Sequence, residues 1–125
     1  MTSEYTIKIP ATSANLGSGF DSIGLAIDLW NSVTVKNGPF QIKLNGFGEG
    51  ELPLDQNNLV YKSFSRLFQE IGETIPQVSI ECENQIPISR GLGSSSAALV
   101  GGLYAANVFA GNPLSKFDLL NLAAQ

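Results

Sequence analysis

Between Ser95 and Ala110 the chain carries small or apolar residues on nearly every face that a helix could present, in the run SSAALVGGLYAANVFA. A helix without a polar stripe is buried on most sides, so the rest of the fold has to wrap around it. Gly101, Gly102 and Asn107 interrupt the run, and it falls short of the ~20 apolar residues that a bilayer crossing takes. The reading is therefore a core helix, ended by Gly111 and Pro113. Directly ahead of it stands PISRGLGSSS, Pro87 to Ser96. Glycines and serines against the start of a buried helix make that loop a candidate binding site.

The remaining segments supply a shell. EYTIKIP alternates Tyr5, Ile7 and Ile9 with polar residues and predicts a half-buried strand ending at Pro10. ATSANLGSGF, which follows, is loop by composition. Ile23 to Trp30, then SVTVK and FQIKL, are short β-favouring runs separated by Asn-Ser and Asn-Gly-Pro, which predicts an antiparallel meander. NGFGEGELPLDQNN reads as a polar, glycine-rich connection. Val60, Phe64, Leu67, Phe68 and Ile71 then fall at helical spacing, with Asn57 or Asn58 as N-cap and Gly72 just past the end. QVSIECEN alternates Val78, Ile80 and Cys82 as a further strand, leading through Ile86 to Ile88 into the glycine-serine loop. Ser115 and Asp118 form a capping-box pattern before Leu119, Leu120 and Leu122. The class is mixed α+β. The run NLAAQ carries no helix stop signal, so the expectation is the first part of a longer protein.

Composition excludes some functions. Eleven acidic against seven basic residues give a net charge of −4, which argues against a charge-held nucleic-acid or membrane surface. The single cysteine, Cys82, cannot close an intrachain disulfide, and MTSEYTIKIP has no basic segment leading into an apolar run, so a cytoplasmic location is expected.

The loop has the parts for holding phosphate. A helix N-terminus exposes unpaired N–H groups and the positive end of the helix dipole. Gly91 and Gly93 let backbone come close to a ligand, Ser94, Ser95 and Ser96 add hydroxyls for phosphate oxygens or Mg²⁺, and Arg90 adds a positive charge. A P-loop is excluded because no lysine lies between Lys62 and Lys116, and a dinucleotide fingerprint fails at Ser96, where it needs glycine. The plainer alternative is a turn at the glycines and helix capping by the serines. A second stretch, PATSANLGSGFDSIGLAID from Pro10 to Asp28, sets Asn15 and Asp21 among Ser13, Gly17 and Gly19. Asp21 could take a substrate ammonium and Asn15 a hydroxyl or carboxylate. An Asx-turn and a surface carboxylate are the ordinary alternative.

PATSANLGSGFDSIGLA near the N-terminus, followed by PISRGLGSSSAA, resembles the first two motifs of the GHMP kinases. PATSANLGSGFD and NNLVYKSF are most similar to the homoserine kinases within that family. The resemblance covers nearly the whole chain and implies a first domain like ribosomal protein S5 domain 2, with the phosphate loop in a left-handed βαβ crossover. Residues 1–125 would then be an N-terminal ATP-binding domain, truncated before the C-terminal domain and before the family's metal-binding glutamate and third motif. The implied activity is ATP-dependent phosphorylation of the L-homoserine hydroxyl, by the complete protein rather than by these residues alone. Site roles carry over as follows. Pro87, Ile88, Ser89, Arg90, Gly91, Leu92, Gly93, Ser94, Ser95, Ser96 and Ala97 would wrap the ATP triphosphate, with Ser95 nearest Mg²⁺. Asn58, beside Leu59 and Val60, would border the adenine pocket. Asn15 and Asp21 would hold homoserine, with Asp21 at its ammonium. No general base is assigned. The expected partner is the small-molecule substrate, with neither nucleic acid nor membrane, and apolar surface left by a missing domain could support a homodimer. The alternatives are another GHMP small-molecule kinase and a non-catalytic nucleotide-binding module.

Overall fold

The structure, a computed structural model, describes residues 4–10, 30–86 and 94–124. The loop expected over residues 11–20, the run from Ile23 up to Trp30 and most of the glycine-serine loop lie outside the described residues.

Among the described residues four strands and three helices appear in the order β1 (Glu4–Pro10), β2 (Trp30–Asn37), β3 (Gln41–Gly46), α1 (Leu59–Glu70), β4 (Val78–Asn84), α2 (Ser94–Phe109) and α3 (Lys116–Ala123). Each strand obeys its sequence period. Ile9, Val33, Val35, Ile42, Leu44, Val78, Ile80 and Cys82 are buried on one face, while Lys8, Lys36, Lys43, Glu81 and Glu83 stay exposed on the other.

The strand order is β1-β2-β4-β3. β2 runs antiparallel to both β1 and β4, and β3 runs parallel to β4. The expected meander is thereby corrected: SVTVK and FQIKL are strands, but they do not pair with each other. β4 lies between them, starting where the short 38–40 link crosses its end. Val78 pairs with Asn37 and Ser79 with Gln41, and the Ser79 hydroxyl donates to the Pro39 carbonyl at 2.8 Å. A link over Asn-Gly-Pro looks like a hairpin turn locally, yet β4, buried in the middle of the sheet, needs a strand on each edge to pair its backbone N–H and C=O groups.

α1 and α2 cover the apolar face of the sheet. Asn58 caps α1: its Oδ1 accepts from the N–H groups of Val60 at 2.9 Å and Tyr61 at 3.4 Å. Gly72 follows the C-cap with φ of 74°, a left-handed conformation that glycine adopts without strain. Phe64 anchors the layer, with ring centroids of Phe68 at 5.1 Å and Phe109 at 6.0 Å.

α2 is the buried helix that its composition predicts, touching α1, β1, β2 and α3, and none of residues 97–109 is exposed. Gly101 and Gly102 let it sit that deep. A methyl on Gly101 would come within 2.8 Å of Ile9 Cδ1, and one on Gly102 would fall on the Val60 carbonyl oxygen and lie 2.7 Å from Ser63 Cβ. Two backbones thus meet at Gly102 with no side chain between them. At the far end Asn107, 4% exposed, clamps Leu114: its Nδ2 donates to the Leu114 carbonyl and its Oδ1 accepts from the Leu114 N–H, each at 3.0 Å. The turn into α3 is fixed there, and Ser115 and Asp118 then form the expected capping box. Among the described residues no helix is long and apolar enough to cross a membrane. β3, α1 and the parallel neighbour β4 make a βαβ unit, and its second strand leads toward the glycine-serine segment.

Candidate nucleotide site

The parallel strands β3 and β4 end together, Gly46 beside Asn84, and ligand sites in α/β layers favour the carboxyl ends of such strands. At that edge single backbone bonds and side-chain bonds together extend the ladder. Asn84 Nδ2 donates to the Phe47 carbonyl at 3.0 Å, and the Phe47 N–H donates to the Asn84 carbonyl at 3.0 Å. On the β2 side, Asn31 Oδ1 accepts from the Ile86 N–H at 3.0 Å, and Gln85 Oε1 accepts from the Trp30 N–H at 3.0 Å.

Between this edge, the start of α1 and Ala98 of α2 lies a cavity of about 170 Å³. Leu44, Leu52, Pro53, Leu59, Val60, Cys82 and Ala98 give it apolar walls, and the amide side chains of Asn31, Asn57, Asn58 and Asn84 supply its polar groups. No charged side chain lines it among the described residues. Burial, with a smaller contribution from Glu81, pushes the Cys82 thiol from its ordinary 9.0 up to about 12, so this wall is neutral at physiological pH. Pockets for drug-sized ligands run to ~300–1,000 Å³. At 170 Å³ the space suits one flat ring system with hydrogen-bonding edges, not a whole nucleotide.

Asn58 lines the cavity, with Leu59 and Val60 beside it. Its amide is already committed, however: beyond the two capping bonds, Nδ2 donates to the Pro53 carbonyl at 2.9 Å, and the residue is 3% exposed. It therefore shapes the wall by tying the 47–58 segment to the helix. Ser94, Ser95 and Ser96 form the opening turn of α2. Ala97 is 1% exposed and belongs to the core, so anything it offers a ligand at the helix start is backbone. Pro87 to Gly93, Asn15 and Asp21 lie outside the described residues. Sequence reasoning missed Asn31, Leu44, Leu52, Pro53, Cys82 and Asn84 as cavity residues, because their periodicity or turn chemistry explains them completely as strand and loop.

Among the described residues no three His, Cys, Asp or Glu side chains group closely enough to hold a metal ion.

The sequence matches the family model for the GHMP kinases N terminal domain over residues 58–125, more than half of the chain. The chain belongs to the GHMP kinase family. Among curated relatives, the homoserine kinase of Desulfitobacterium hafniense is 52% identical to this GHMP kinase chain over 118 residues, covering 94% of the chain and 40% of that protein. The homoserine kinase of Carboxydothermus hydrogenoformans is 46% identical over 121 residues, covering 95% and 40%. The crystal structure of the Cytophaga hutchinsonii homoserine kinase superposes with a TM-score of 0.74 at 30% identity, over 96% of this chain and 39% of that one. The mevalonate kinase of Methanococcus jannaschii, at 19% identity and a TM-score of 0.63 over 98% of this chain and 44% of that one, shares the fold. This GHMP kinase chain thus spans about 40% of the length of the curated relatives it matches.

Proposed function

We propose that the complete protein transfers the γ-phosphoryl group of ATP to the side-chain hydroxyl of L-homoserine, releasing ADP and O-phospho-L-homoserine on the route from aspartate to threonine. The observation that carries this reading is the 46% and 52% identity, across nearly all of this chain, to proteins named homoserine kinase. The neutral, amide-edged cavity beside the start of α2 supports it, because it offers a ring-sized space next to a helix N-terminus.

In this reading the adenine occupies the cavity, and Pro87 to Ser96 hold the phosphates. Phosphoryl transfer asks mainly for alignment and for neutralisation of spreading charge, and a helix start preceded by glycines provides N–H donors for that purpose without a titrating group. Asn15 and Asp21 orient homoserine, with the Asp21 carboxylate taking its ammonium. Mg²⁺ would accompany ATP, with Ser95 the hydroxyl beside it, and would screen the phosphate charge. No general base is assigned. The lone, free, buried Cys82 fits a reducing cytoplasm.

The test is ADP release by the complete protein with Mg-ATP and, in parallel, L-homoserine, mevalonate, galactose or no acceptor. Turnover confined to homoserine is expected. Turnover with another alcohol would overturn the substrate assignment, and none with any acceptor would overturn the kinase. Asp21→Ala is expected to raise the homoserine KM at least ~10-fold, as loss of a charge-assisted contact should, with the ATP KM nearly unchanged. Equal damage to both would refute the assignment of Asp21.

A further inference from the structure

We infer that Asn31 is a positioning residue for the triphosphate, acting through Ile86. The inference rests on the kinase reading above.

Asn31 opens the β2–β4 ladder opposite Asn84, is 5% exposed and lines the cavity. Its side chain spends its oxygen on the N–H of Ile86, two residues beyond the end of β4. Ile86 is itself fully buried. The bond is nonlocal, joining residues 55 apart in sequence, and it lies one residue before Pro87, where the glycine-serine segment begins. A backbone N–H buried at such a point needs a partner, and Asn31 supplies it. Gln85 is held against Trp30 twice: its Oε1 accepts from the Trp30 N–H at 3.0 Å, and its backbone N–H donates to the Trp30 carbonyl at 3.3 Å. The exit of the chain from β4 is therefore held to the start of β2 by the Asn31 and Gln85 side chains together with one further backbone bond. Ile86 is thereby fixed in place, and α2, which begins at Ser94, reaches the same cavity through Ala98. Phosphate held by backbone N–H groups is sensitive to errors of about 1 Å in placement. Asn31 can thus govern the phosphates without touching them.

The experiment uses the complete protein and compares dissociation constants for Mg-ATP and for adenosine, which has no phosphate to position. Asn31→Ala is expected to weaken ATP at least ~10-fold more than it weakens adenosine, in line with an orphaned buried N–H at the segment entry. Asn107→Ala is the structural control. It removes a similarly buried amide clamp at the opposite end of α2, so it should lower the thermal midpoint and leave the ATP-to-adenosine ratio unchanged. If Asn31→Ala folds poorly, Asn31→Ser, whose hydroxyl is too short to replace the carboxamide, serves for the same comparison. Equal weakening of both ligands, an unchanged ratio, or the same ratio shift from Asn107→Ala would overturn the role of Asn31. Absence of ATP binding by the unsubstituted protein would overturn the kinase reading and this inference with it, and is told apart because it appears before any substitution is made.

Discussion

Gly101 and Gly102 are adjacent, both lie in the middle of α2, and neither has a positive φ. Alanine at either should gain the same helix propensity, ~1 kcal/mol over glycine. Their surroundings differ. The added methyl at Gly101 meets Ile9 Cδ1 at 2.8 Å and Val33 Cγ2 at 3.0 Å, both ends of branched side chains that can turn aside. At Gly102 it meets the Val60 carbonyl oxygen, Ser63 Cβ at 2.7 Å and the Phe64 nitrogen at 3.2 Å, all fixed on the α1 backbone. No rotamer change relieves that contact, so the helices must separate. Overpacking costs ~1–3 kcal/mol, and a contact with rigid backbone belongs at the upper end. Set against the propensity gain, Gly102→Ala should lose about 2 kcal/mol and Gly101→Ala should lie close to zero. For a domain of this size ~1 kcal/mol shifts the thermal midpoint by ~4 °C, so the expected drop is ~8 °C for Gly102→Ala and no more than ~2 °C for Gly101→Ala. Circular dichroism melts of the complete protein measure the difference. Equal midpoints for the two variants would refute the close backbone approach of α1 and α2.

Other consequences are as direct. Asn58→Ala removes the α1 cap and the bond to the Pro53 carbonyl, and should cost ~2 kcal/mol in denaturant unfolding, well above the cost of Asn57→Ala. Ser65 Oγ is buried without a hydrogen-bond partner among the described residues, so Ser65→Ala should raise the thermal midpoint by a few degrees; a drop would mean that the hydroxyl has a partner after all. Because the Cys82 thiol sits at about 12 when folded and near 9.0 when exposed, the folded state holds the proton longer, and stability falls as pH rises from 9 toward 12. Cys82→Ala should flatten that part of the pH profile, and the native thiol should resist alkylation at pH 8 until the protein unfolds.

The elements were legible in the sequence because each obeys a local rule: period two in β1 to β4, the Asn58 cap, the Ser115 capping box, the glycine stop after α1. The strand order was not. No local signal at Asn37 or Gln41 says that Val78 and Ser79, some forty residues away, will come between them, and a short turn-like link suggests the opposite. The cavity was hidden for a related reason. Leu44 and Cys82 fit the core pattern and Leu52 and Pro53 fit a loop, so only their convergence in space makes them walls. The two glycine-rich motifs were readable as chemistry from residue types alone, and Asn31 was not, since its bond to Ile86 exists only after β2 and β4 have paired.

The placement of β4 also dictates an order of events during synthesis. β2 and β3 leave the ribosome close together but have no bond to make with each other, and both must wait for a strand that emerges after the whole of α1. The central seam of the sheet is therefore closed by its last-made member, a high contact order within a modest length. Until residue 84 is out, β3 has no partner and β2 is paired only with β1, so a nascent chain stalled earlier exposes one unpaired strand and one open strand edge.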